Sequence, residues 1–347
     1  MLASATAIQH HYIDRGTGQV RSELMYADRL LRFLYAAPWE ERAWLMRALT
    51  SARASQVLGF LHYDCPWGAS LWGIQRFVRA LGVDLGECVD APHRLASPRQ
   101  VFERKIRYWD RRPMETTEAA IVSPADARVL VGSFSSSSSL QLKGKFFDFS
   151  ELFGADRSDW LEAFAEGDYA VFRLTPDKYH YNHVPATGTV ADHYHLHGRY
   201  HSCNPGSVVS VVTPYSKNAR TVTIIDTDVP GGARIGLVAM IEVVALMIGA
   251  IEQCYSSLEY RDPRPMEKWM LLRKGQPKSL YRPGSSTTVL VFQRGRVHFS
   301  RDLIANMMRV DVPSRFSHGF GRPLVETDLS VRSTIAYRDS GEQTGEG

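Results

Sequence analysis

The hydrophobic rhythm of the chain changes partway along. From about residue 20 to 85, apolar positions recur at the three- and four-residue spacing of amphipathic helices. Leu24, Leu30, Leu31, Phe33, Leu34 and Tyr35 predict one helix, closed by Pro38. Trp44, Leu45, Ala48 and Leu49 predict a second within residues 40–55. Trp72, Ile74, Phe77, Val78 and Leu81 predict a third over 71–81. Such stripes suit a packed core, and aromatic-rich ones also suit the interface of a bilayer.

From about residue 119 the texture becomes short β-type runs broken by Gly, Pro and Asn. Residues 128–131, 169–174, 207–213, 221–225 and 288–292 read this way. The expected class is therefore α+β: a mainly antiparallel, sandwich- or barrel-like core behind an N-terminal helical region. The serine run 135–139 reads as a flexible loop, and the polar, glycine-rich tail 339–347 as disordered. The most apolar stretch, Gly236 to Ile251, is shorter than the roughly 20 residues of a spanning helix and contains Glu242. It predicts two buried strands, or a strand and a turn, so any membrane contact should be peripheral.

Composition adds little to this picture. A hydrophobic share of 44%, a charged share of 22% and a formal charge of +4 are ordinary for a globular protein and give no reason to expect nucleic acid. The basic clusters Arg104-Lys105-Ile106-Arg107 and Arg111-Arg112 fit a solvated face, or contact with anionic lipid. Cys65, Cys88, Cys203 and Cys254 are scattered, and the first residues lack a basic start and an apolar run. The expected setting is reducing and cytoplasmic, or the cytoplasmic face of a membrane, without a signal peptide.

Chemistry enters through three segments. Gly284-Ser285 stands just before the apolar strand at 288–292, Asp126 follows Ser123-Pro124, and His180 and His183 lie between Pro176 and Pro185. A hydroxyl, a carboxylate and two imidazoles are the parts needed to activate a serine nucleophile. Taken singly, Asp126 is an ordinary turn former and Gly284-Ser285 an ordinary turn into a sheet. A rival constellation is Asp192-His193-Tyr194-His195-Leu196-His197. On a strand, His193, His195 and His197 share a face, and with Glu242 or Asp192 they could hold zinc or iron.

Five segments in order resemble the phosphatidylserine decarboxylase family. They are Ser123-Pro-Ala-Asp126, Lys143-Gly144 with Phe149 to Gly154, Tyr179-His-Tyr-Asn-His-Val-Pro185, Gly198 to Pro205, and Gly284-Ser-Ser-Thr287. The resemblance spans about residues 98–337. It implies three parts: a helical region over 1–97, a catalytic domain over 98–338, and the tail. It also implies self-cleavage between Gly284 and Ser285, with Ser285 becoming a covalent pyruvoyl cofactor and no metal required. Asp126 would orient His183, and His183 would take the proton of Ser285 and later help reprotonate the substrate carbon. His180 would position the departing carboxylate.

The implied activity is conversion of phosphatidylserine to phosphatidylethanolamine and carbon dioxide at a membrane surface, in a homodimer of processed protomers. Pro283, where the family has leucine, Ala127, where it has glycine, and the additional Ser286 are departures. They keep open a free aromatic amino acid as substrate. The metal-binding β-barrel reading stands beside both.

Overall fold

The computed structural model describes residues 9–23, 50, 51, 54, 57, 63, 74–134, 147–210, 214–245, 250–283 and 286–339. Apart from isolated positions, the first two expected helices lie outside that set, as do the serine run and the tail beyond Asp339. The third is present as α1 (Ile74–Leu81), whose Val78 packs with Cys88, Leu95 and Val101.

Strands dominate the rest. In chain order they begin with β1 (His11–Asp14), β2 (Val20–Ser22), β3 (Ala120–Val122), β4 (Ala127–Ser133), β5 (Asp168–Leu174) and β6 (Tyr181–His183). Next come β7 (Gly188–Leu196), β8 (Arg220–Asp226), β9 (Leu237–Val243), β10 (Ile251–Gln253) and β11 (Leu271–Leu272). The last are β12 (Pro277–Tyr281), β13 (Ser286–Phe292), β14 (Val297–Phe299), β15 (Glu326–Leu329) and β16 (Thr334–Arg338).

Ten strands form one sheet in the order β11-β7-β8-β9-β13-β5-β4-β15-β1-β2. Two three-stranded sheets, β10-β12-β6 and β14-β16-β3, join one apolar cluster with residues of the large sheet. The opposite face of the large sheet packs against helical residues such as Phe153, Val208, Phe316 and Phe320. The result is a layered, sheet-rich α+β core rather than a closed barrel. Pairing is antiparallel apart from β1 with β15, so the N-terminal region contributes an edge hairpin to the sheet in addition to α1.

β13 explains why Gly284-Ser285 is followed by an unbroken apolar run. Val289 and Val291 enter the cluster on one face, while Leu290 and Phe292 enter the cluster on the other. A strand buried on both faces needs apolar side chains at every position, not alternate ones. Glu242 likewise sits inside a strand, since the stretch from Gly236 to Ile251 contains β9 and the start of β10. No helix of the described residues is long and apolar enough to cross a membrane.

Two expectations change. The run 207–213 was expected to be a strand, but its described part lies in a short helix, Pro205–Ser210. Asn204 accepts the Gly206 N–H at 2.9 Å, and Pro205 at the first helical position costs no hydrogen bond. Gly319 allows a close approach, because a Cβ there would lie 2.2 Å from the Val209 side chain.

The basic clusters also differ from a uniform solvated or lipid-facing surface. Arg104 is buried and donates to the carbonyls of Val101, Asp177 and Lys178, and Arg112 turns inward to a carboxylate.

Candidate active site

The site is assembled around β6. β12 pairs antiparallel with β6 and ends at Tyr281, whose N–H donates to the His180 carbonyl at 3.0 Å. The chain then turns and re-enters as β13, where Thr288 Oγ1 donates to Asn182 Oδ1 at 2.8 Å. Segments on both sides of Gly284–Ser285 are thereby tied to β6, which carries His183, and to His180 just before it. Gly284 and Ser285 themselves lie outside the described residues.

His183 is fully buried. Its N–H donates to the Pro124 carbonyl at 2.7 Å, which sets the Ser123–Asp126 turn against it. Nδ1 lies 2.9 Å from the Gly275 carbonyl, and Nε2 lies 2.9 Å from Tyr179 Oη. A carbonyl only accepts, so Nδ1 carries the proton and Nε2 presents the lone pair. Gly275 can aim its carbonyl this way because its φ of 75° belongs to the left-handed region. Burial pushes the His183 pKa down to about 3, against a smaller opposing pull from the Gly275 carbonyl, so the ring is neutral. Behind it, Tyr179 Oη is 2.7 Å from Tyr260 Oη, and Tyr108 meets the imidazole edge-on.

Asp126 is buried and makes no direct hydrogen bond to His183. Arg112 grips it at both oxygens, Nε to Oδ1 at 3.0 Å and Nη2 to Oδ2 at 2.8 Å, and Val331 N–H donates to Oδ1 at 2.7 Å. Burial alone would raise its pKa. The Arg112 guanidinium and these hydrogen bonds outweigh burial and hold the carboxyl below its usual range. Asp126 therefore contributes a fixed negative charge near His183, while the Gly275 carbonyl and the Tyr179 hydroxyl contact the ring.

His180 stacks on Phe102, with ring centroids 3.5 Å apart, and is buried. Burial, reinforced by the Arg104 charge, holds its pKa well below the ordinary value. The Lys178 carbonyl pulls weakly the other way, without hydrogen-bonding geometry to either ring nitrogen. Among the described residues, both His180 nitrogens and the buried Ser286 Oγ have no hydrogen-bond partner.

Among the described residues the histidines at β7 are not grouped closely enough with other ligands to hold a metal ion, and His197 lies just past the end of the strand. His193 and His195 do share a face, but Nδ1 of each is bonded to a threonine hydroxyl, Thr223 at 3.0 Å and Thr221 at 2.8 Å. The candidate fourth ligands are also engaged, Glu242 by Lys278 at 2.7 Å and Asp192 by Lys268 at 2.9 Å. Among the described residues the grouping compact enough for a metal is His10, Glu23 and Glu326. Arg173 and Arg128 occupy it instead, 2.6 Å and 2.5 Å from Glu23, making a buried ion network.

Comparison with known proteins fits the order of these segments. The family model described as phosphatidylserine decarboxylase matches residues 99–317, a span containing Asp126, His180, His183, Gly284 and Ser285. The chain belongs to the phosphatidylserine decarboxylase family. It is 30% identical over 289 residues to a phosphatidylserine decarboxylase proenzyme of Bordetella petrii, covering 80% of this chain and 93% of that one. A proenzyme of the same name from Nitrosococcus oceani is 30% identical over 312 residues, covering 85% of this chain and 95% of that one. One from Chlamydia trachomatis is 28% identical over 294 residues, with 84% and 90% covered.

Sequence reasoning named both histidines and Asp126 but not Arg112, Tyr260 or Gly275 as their partners. Tyr179 was visible within the Tyr-His segment. Gly275 acts through its carbonyl, a group every residue carries, so no side-chain pattern could single it out.

Proposed function

We propose that this chain is a self-cleaving phosphatidylserine decarboxylase whose catalytic group is a pyruvoyl made from Ser285. The observation that carries this reading is the tying of both flanks of Gly284–Ser285 to the segment His180–His183, one to the His180 carbonyl and the other to Asn182.

In the first stage, Nε2 of His183 takes the Ser285 proton in place of its contact with the Tyr179 hydroxyl, and the oxygen attacks the Gly284 carbonyl. The amide becomes an ester, β-elimination expels the Gly284 carboxylate, and water replaces the freed nitrogen as ammonia. The Nδ1–H bond to Gly275 fixes the tautomer, and the Asp126 charge favours the imidazolium that forms. A base with a pKa of about 3 is a weak proton acceptor near neutrality, which a once-only cleavage tolerates.

When formed, the pyruvoyl ketone supplies an electron sink for the pair released as carbon dioxide leaves. The two partnerless His180 nitrogens and the Ser286 hydroxyl fit such a group, because they offer a keto oxygen and a carboxylate polar contacts in a dry setting. His180, neutral and stacked on Phe102, positions the carboxylate. His183 returns a proton to the carbon.

Peripheral contact with the lipid surface is part of this proposal. Leu258, Trp269 and Leu271 are exposed beside Arg261, Lys268 and Arg273 around one surface cavity. Aromatic and apolar side chains among cations suit an anionic interface.

Intact mass spectrometry tests the reading. The expected result is two pieces, the smaller spanning residues 285–347 and blocked by a keto group. Carbon dioxide should be released from phosphatidylserine vesicles; an uncut, inactive chain would overturn the proposal. Release from free aromatic amino acids alone would move the substrate assignment to the second reading.

A further inference from the structure

One tyrosine hydroxyl joins the chain across the bond assigned to cleavage. Tyr281 ends β12, and Thr287 and Thr288 lie at the start of β13. Tyr281 Oη donates to the Thr287 carbonyl at 2.8 Å and lies 3.0 Å from Thr288 Oγ1, all fully buried.

The donors run in one direction. Thr288 Oγ1 gives its proton to Asn182 Oδ1, so the Tyr281 proton is shared between Thr287 and Thr288. Asn182 Nδ2 lies 3.3 Å from both Glu242 Oε1 and Ser279 Oγ, and the Ser279 hydroxyl also donates to Glu242. Lys278 Nζ at 2.7 Å and Gln253 Nε2 at 2.9 Å donate to the other Glu242 oxygen. Glu242 and Lys278 form a fully buried ion pair, so the clasp is anchored on a fixed charge in the core.

In an uncut chain this hydroxyl is redundant, because the covalent chain already joins residues 281 and 287. After scission at 284–285, the Tyr281 contacts would link the last residues of one piece to the first residues of the other. New chain ends fray unless tied, and a misplacement of about 1 Å at a reacting group can cost roughly 100-fold in rate. We infer that Tyr281 is a positioning residue. It clasps the two ends created at Gly284–Ser285 and holds the group made from Ser285 in register with His180 and His183. This rests on the cleavage proposed above.

The test compares the full-length protein with Tyr281→Phe, Thr288→Val and Thr288→Ser. Cleavage is followed by intact mass, and decarboxylation of phosphatidylserine in mixed micelles is normalised to keto-group content. Losing one buried hydrogen bond should lower kcat per keto group by about tenfold in Tyr281→Phe, with KM unchanged. Thr288→Val should fall in the same direction, and Thr288→Ser, which keeps the hydroxyl, should recover. A wild-type kcat per keto group in Tyr281→Phe, or a change in KM alone, overturns the clasp. Should Tyr281→Phe fail to fold, the Val and Ser pair decides by itself. A wild-type chain left uncut at 284–285 removes the cleavage reading and the clasp with it, whereas a cut wild type with an unaffected Tyr281→Phe removes the clasp alone.

Discussion

Arg112 and Asp126 form a two-pronged ion pair, 3.0 Å and 2.8 Å, in a site where a histidine was the expected partner of the carboxylate. The pair places a buried negative charge near His183 at a depth where an unpaired carboxylate would take up a proton. Arg112→Met removes that compensation. Asp126 should then titrate at higher pH, so the acidic limb of cleavage and turnover moves upward in a pH–rate profile. Stability should fall by about 3–5 kcal/mol, read by denaturant titration, because one charge stays buried alone.

Gly275 holds the His183 tautomer through its carbonyl at a φ of 75°. In Gly275→Ala the new Cβ lies 2.3 Å from Met114 Sδ, and the backbone becomes strained. The flexible methionine tip can move, so the backbone is the larger cost, about 1–2 kcal/mol. A lower melting temperature together with slower appearance of the cleaved pieces is expected.

Ser285 and Ser286 adjoin each other, and the proposal makes only the first a cofactor source. Ser285→Ala should leave the chain uncut with no decarboxylase activity. Ser286→Ala should still be cut before residue 285, as seen by mass. Its melting temperature should be equal or higher, because the Ser286 hydroxyl is buried without a partner and its removal relieves a desolvation cost.

Acid should weaken the fold well before the carboxylates are saturated. Burial lowers His183 to about 3, and His193 and His201 to about 4, from an ordinary value of 6.5. A histidine depressed in the folded state binds its proton first in the unfolded chain. Its contribution is therefore complete above about pH 6.5 and declines as pH falls toward 3–4. Melting temperatures from pH 7.5 to 4 should drop steadily, and His201→Phe should flatten the slope.

The sequence made the two sides of the Gly284–Ser285 bond and both histidines legible for a local reason. Proline-bounded turns, a glycine before a strand and an apolar run each leave a mark within a few residues. The misread segment at 207–213 shows the limit of that reasoning. Its Val-rich pattern suits a strand, but Asn204 and Pro205 start a helix, and Gly319, distant in sequence, lets it pack. The β7 histidines show the same limit from the chemical side. Alternation put His193 and His195 on one face, yet Thr221 and Thr223 on the neighbouring strand decide what their nitrogens do.

The amino-acid order by itself determined the strand-rich core, the apolar strand after Gly284-Ser285 and the short list of groups able to activate a serine, since all three follow from neighbours along the chain. Only the tertiary structure decided that Arg112 holds Asp126, that a backbone carbonyl sets the His183 tautomer, and that β1 pairs with β15. Those choices depend on distances between segments far apart in sequence. They are also made partly by backbone groups, which are chemically alike at every position until the fold brings one of them within reach.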